Sequence, residues 1–368
     1  MQILKGDKLL SKAQCDVLRG IAIAGIFLHN FCHLLKGSNE ENEFTFIAER
    51  ASNMWQYWTT GLDEFFPIQL FAFFGHYGVP IFFFLSGYGL VMKYENGNTS
   101  PKNSVWGFIG HHWLKLFKLM ILGMVLTIII YVATGITRDI WEYFAQATLL
   151  SNIIPELCDS QTPSPYWFFG VMFEVYVVYS LLFFPFCGKR YRLWRWLIPV
   201  MLAVLTLLPQ VLMENHSNGL NYVRHNAAIA MMPFSLGVLA GRYGFPKLPR
   251  WATASIMIIA LPLLAIVSMH YQSWLLLSPL VVLAGSLAFV KSVAHCCGLC
   301  DTLVIKPLRY LGVMSSMIFV VRSIARRPIY KLVLVNHSEL MLEDYAWMAL
   351  YIVATLILAW AYKKIIRK

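Results

Sequence analysis

The chain has 368 residues, 58% of them hydrophobic and only 13% charged, with a formal net charge of +11 and a mean hydropathy of +0.60. A soluble domain carries about 25% charged residues, so a water-soluble fold is excluded. Nucleic acid is excluded as a partner, because the basic residues sit in short loops between apolar runs, where they orient spans in a membrane. The expected fold is all-α, a polytopic transmembrane helix bundle. No soluble block interrupts it, so residues 1–368 read as a single integral membrane domain.

In chain order, about ten spans are predicted, near 16–35, 66–92, 110–134, 166–187, 194–213, 226–243, 250–270, 273–294, 309–329 and 343–363. The first is followed by "KGSNEENE" and lacks a small-residue cleavage site, so it reads as a span and not as a removable leader. With the N- and C-termini cytoplasmic, the inside loops 93–109, 188–193, 244–249 and 295–308 and the tail "KKIIRK" are all basic. The outside loops 36–65 and 135–165 are acidic, which matches the usual charge bias. Within the second, "RDIWEYFAQATLLSNII" has helical spacing of apolar residues and is expected to form a short helix at the outer interface. No inverted repeat of the transporter kind is visible. In "AHCCGLCD", His295, Cys296, Cys297 and Cys300 have zinc-like spacing but no second ligand pair, so reduced thiols in a cytosolic loop are expected and no metal site. The last outside loop, beginning "RSIARRPIYK", breaks the charge bias with Arg322, Arg326, Arg327 and Lys331.

With "DVLRGIAIAGIFLH", "GVPIFFFLSGYGLVMKY" and "MMPFSLGVLAGR" following in this order, the chain resembles the acyltransferase-3 family of integral membrane acyltransferases, the O-acyltransferase type. "DVLRGIAIAGIFLH" is similar to the family's first-helix signature, an arginine followed about ten residues later by a histidine. "GVPIFFFLSGYGLVMKY" is similar to its phenylalanine-rich second-helix phrase. "PYWFFGVMFEVYVVYSLLFFP", "MMPFSLGVLAGR" and "LRYLGVMSSMIFVVRSIARRPIY" resemble later phrases, in order along nearly the whole chain. Three positions depart from the family. Lys115 and Lys118 stand where an Arg-x-x-Arg pair is common, Arg322 replaces a frequent histidine, and Glu174 is displaced in spacing.

The resemblance implies transfer of an acyl group, typically acetyl, across the inner membrane. The donor is cytosolic acyl-CoA, a co-substrate and not a bound cofactor. The acceptor is a hydroxyl of a surface glycan or lipid-linked sugar. Arg19 lies near the cytosolic face, and three residues before it Asp16 can pair with it on one helix face. Arg19 is then either a snorkelling cation or a contact for the donor, for which Lys115 and Lys118 are further candidates. His29 lies roughly 15 Å further along the helix and suits a general base. His33 and His76 fall at similar depth, where hydrogen-bonded core histidines are the commoner reading. Glu174 either orients His29 or neutralises Arg322. Arg322 and Arg326 are candidates for an anionic acceptor, and Trp167 for stacking on a sugar or for the ordinary aromatic belt. Ser86–Gly87 reads as a site of close helix packing, not a nucleophile. A transporter or flippase of an anionic lipid-linked sugar, and a scaffold without activity, are the competing functions.

Overall fold

A computed structural model describes residues 9–96, 104–158, 166–213, 217–297, 302–336 and 339–366. Among them every regular element is helical. Cys300 lies outside the described residues, as do the side chains of His295, Cys296 and Cys297.

Among the described residues, eight helical stretches are long and apolar enough to cross a membrane. At two of the expected spans the helices are shorter, Trp167–Phe183 and Ala228–Tyr243. The chain is a multi-pass, all-α membrane protein.

The helices gather into two compact units. One holds the chain up to Phe82 and from Pro246 onward; the other is Phe83–Phe245. In the first unit, α1 (Lys12–Cys32) starts at a capping box, in which Ser11 Oγ accepts from the Gln14 N–H and the Gln14 side chain accepts from the Ser11 N–H. A short α2 (Ala48–Thr60) follows in the first connecting segment. The next expected span is interrupted. α3 (Phe66–Phe74) ends in a single 3₁₀ turn, Gly75–Tyr77, before α4 (Gly78–Leu90), which runs across the boundary between the units. Pro80 supplies the reason: it has no N–H to give to the carbonyl of His76, and the glycines on either side permit the tighter turn.

Numbered along the whole chain, the other long helices of this unit are α11 (Arg250–Val267), α12 (Tyr271–Cys297), α13 (Ile305–Asn336) and α14 (Glu343–Ile366). The most extensive packing is between α1 and α13, followed by α11 on α12; α13 also packs on α14. The α1–α13 contact is backbone to backbone. A Cβ on Gly20 would fall onto the Leu308 carbonyl, and one on Gly312 onto the Asp16 carbonyl. Where lipid is as apolar as leucine, such small-residue contacts drive helix association.

The second unit holds α5 (Val105–Ala133), α6 (Ile140–Thr148), α7 (Trp167–Val178), α8 (Trp194–Leu212), α9 (Asn218–Arg224) and α10 (Ala228–Tyr243). α10 packs on α8, and α5 on α7. α6 is the amphipathic segment expected from the sequence: Asp139 caps it, Ile140, Trp141 and Phe144 are exposed, and Ala145 and Gln146 are buried. A Cβ on Gly87 would meet the Phe234 carbonyl, and Ser86 Oγ donates to the Met172 sulfur at 3.7 Å, so Ser86–Gly87 serves helix packing.

Candidate active site

α1 carries both ends of the candidate site. Near its start, Arg19 donates to Asp16 Oδ1 at 2.8 Å, with Asp16 buried and Arg19 partly exposed. About 15 Å further along, His29 is buried. The helix between them is held close to its neighbours by small residues. Gly20 and Gly312 bring α13 onto it, and Gly25 and Gly75 meet so closely that a Cβ on Gly75 would lie 2.6 Å from the His29 Cβ. That contact puts His29 beside the end of α3, where its Nδ1 lies 3.0 Å from the Ala72 carbonyl and 3.2 Å from that of Phe71. Both partners can only accept, so Nδ1 carries the proton and Nε2 carries the lone pair.

Two further imidazoles gather there. The His33 ring stacks on His29 with centroids 4.5 Å apart and planes 13° from parallel. His76, delivered by the 3₁₀ turn, lies 5.4 Å away and tilted by 58°. His33 Nδ1 donates to the His29 carbonyl at 2.6 Å. From α13, Arg326 donates to the Asn30 carbonyl at 2.8 Å and reaches its Oδ1 at 3.3 Å, while Arg322 is buried with its guanidinium 4.1 Å over the Phe319 ring. Both arginines lie close enough to act on His29 electrostatically. Arg326 is also part of how α13 seats against α1, which the sequence did not reveal. Gly25 and Gly75 further line a largely apolar cleft of about 470 Å³, together with Phe74, Leu264, Val282 and Phe289.

The other candidates lie in the second unit. Glu174 on α7 accepts from the Ala227 N–H at 2.6 Å through Oε2, capping the start of α10. Its other oxygen is buried without a hydrogen-bond partner among the described residues. Trp167 is buried, edge-on to Phe168 and His225, and its carbonyl accepts from Asn152. Lys115 and Lys118 are exposed on α5; on the same helix His112 is buried and its Nε2 lies 3.1 Å from the Tyr94 hydroxyl.

Against this geometry stands one comparison that decides the family. The acyltransferase-3 family model, described as "Acyltransferase domain", matches residues 13–364. The chain belongs to the acyltransferase-3 family. It is therefore a membrane acyltransferase, a transferase acting on groups other than aminoacyl groups. No curated protein and no solved structure matches the chain.

Two features of this acyltransferase were missed in the sequence. The first is a buried ion pair. Arg242 Nε donates to Glu95 Oε2 at 2.8 Å, and its other nitrogens reach Glu95 Oε1 and the carbonyls of Phe183 and Arg195. Tyr179 donates to the same carboxylate. Glu95 and Tyr179 both sit in π-helical turns, Val91–Glu95 and Tyr179–Phe183, a local widening that often marks functional positions. The second is Asn152, fully buried, whose side-chain amide donates to the carbonyls of Trp167 and His225 and so ties α7 to the end of α9. Only a polar residue inside an apolar phrase, "TLLSNII", signalled it.

Proposed function

We propose that this acyltransferase moves an acyl group, acetyl in the simplest case, from cytosolic acyl-CoA to a hydroxyl of an extracytoplasmic glycan or lipid-linked sugar. The protein sits in the inner (plasma) membrane with both termini cytoplasmic. The observation that carries this reading is the state of His29. Its Nδ1–H is committed to the Phe71 and Ala72 carbonyls, so Nε2 is the nitrogen with a lone pair to accept a proton.

In the step we assign, the acceptor oxygen attacks the thioester carbonyl carbon as its proton passes to His29 Nε2. The carbon–sulfur bond then breaks, and the coenzyme A thiolate leaves and takes the proton back from His29. Arg19, held by Asp16 towards the cytosolic end, meets the donor's phosphates or thioester oxygen, and exposed Lys115 and Lys118 attract the donor by charge. Only the narrow pantetheine arm needs to rise along α1 towards His29. Glu174 caps the start of α10. Arg322 and Arg326 favour an anionic acceptor; Trp167, in the other unit, is a further candidate for a sugar contact.

Comparing the masses of surface glycans from a deletion strain and its parent tests the reading. Loss of a single acyl increment from a glycan in the deletion strain is the expected result; unchanged glycan and lipid-linked sugar masses contradict it.

A further inference from the structure

We infer that His33 is a positioning residue for His29: its ring is the fixed plate on which the imidazolium formed during transfer rests. The inference builds on the assignment of His29 as the base.

The geometry is specific. His33 follows α1 as its C-cap, and the His29 carbonyl accepts twice from it, from the His33 N–H at 3.0 Å and from Nδ1 at 2.6 Å. These two hydrogen bonds tie His33 to its partner's own backbone, and the one from Nδ1 fixes the ring. It also fixes the tautomer of the neutral ring, since a carbonyl accepts only: the proton sits on Nδ1. The plane so fixed lies 13° from that of His29 at 4.5 Å. A stacked pair cannot pass a proton directly, because each lone pair lies in the plane of its ring. What His33 offers is its π face.

That face matters because of the neighbours. When His29 takes a proton, its surroundings are two cations from α13, Arg322 and Arg326, and two imidazoles, His33 and His76. The arginines oppose the new charge. The Phe71 and Ala72 carbonyls support it from the ring edge, and the electron-rich face of His33 supports it from the side, as aromatic faces support cations elsewhere. His33 therefore acts on the charged state of His29, not on the binding of either substrate.

The test uses the full-length protein in lipid nanodiscs with acetyl-CoA, and the acceptor defined by the glycan comparison. His33→Phe keeps an aromatic face and loses the tether; His33→Asn keeps a donor for the His29 carbonyl and loses the face. The expected result is kcat within about threefold of wild type for His33→Phe, and about tenfold or more lower for His33→Asn and His33→Leu, with both KM values unchanged. Retention in His33→Asn with loss in His33→Phe would make the tether the working part and overturn the inference. Loss in all three variants would show that an aromatic face alone does not do the work and would overturn the inference, as would wild-type rates in all three. Thermal midpoints alongside show whether a slow variant is merely unfolded; if His33→Asn and His33→Leu are slow only in proportion to unfolded protein, the inference also falls. His29→Ala is the separating arm. Full turnover there removes the base assignment, whereas a dead His29→Ala with unaffected His33 variants removes only the present inference.

Discussion

Arg242 and Glu95 are nearly inaccessible, with side chains 1% and 3% exposed. Removing one partner of such a pair strands a charge without its counter-ion, at a cost of about 3–5 kcal/mol. Glu95→Gln is therefore expected to lower the thermal midpoint in detergent sharply, and Arg242→Met with Glu95→Gln to recover part of the loss. An unchanged midpoint in Glu95→Gln would show that the carbonyls of Phe183 and Arg195 suffice. Arg19 differs in kind. It is partly exposed, its bond to Asp16 lies at the helix edge, and little stability should depend on it. Arg19→Ala should instead raise the KM for acyl-CoA severalfold while kcat at saturating donor holds. A wild-type donor KM would return Arg19 to the role of a snorkelling cation. Residues of both kinds were legible only in part. Arg19, Asp16 and His29 share one helix, so spacing alone placed them. Glu95 and Arg242 are separated by 147 residues, and nothing local in "KYEN" or "AGRY" marks them as partners.

Between elements, close backbone contact does most of the positioning. Gly20 and Gly312 let α1 and α13 touch, and the same contact places Arg326 on Asn30 and brings Arg322 near His29. Gly20→Leu or Gly312→Leu must push the helices apart, because the obstacle is a carbonyl and not a flexible side chain. Overpacking of this sort costs about 1–3 kcal/mol, and transfer should fall more than stability does because the arginines move with α13. Gly89→Ala and Gly110→Ala are the controls: a Cβ there meets nothing within 4 Å, so both variants should react as wild type and melt no lower, since alanine suits a helix better than glycine. Equal behaviour of the two groups in the transfer assay would refute this account of how the helices seat. Periodicity revealed that these spans exist, since long apolar runs admit little else. It could not reveal that the second span breaks at Gly75–Tyr77. That break depends on Pro80 acting with two glycines, and it is what delivers His76 and the end of α3 to His29.

At the scale of the whole molecule, the alternation of basic and acidic loops carries the orientation. A cysteine in place of Gly61 and another in place of Arg190, both at exposed positions, separate the two orientations. In a background lacking the native thiols, a membrane-impermeant reagent outside the cell should label the first and miss the second. Labelling of the second alone would invert the topology and move His29 to the cytosolic side. The fold class and the first-helix signature were readable because they depend on composition and on spacing within one helix. The histidine cluster was readable in part: His29 and His33 lie one turn apart along α1, whereas the approach of His76 depends on which helices meet. The central claim is that His29 serves the chemistry and not the binding of donor. Its most direct measurement is acetyl-CoA affinity and acyl transfer on the same nanodisc preparations of wild type and His29→Ala. The account requires donor affinity within about twofold and transfer reduced at least about 100-fold, the low end of what a general base contributes. Transfer at the wild-type rate in His29→Ala, or loss that merely tracks lost donor binding, would contradict it.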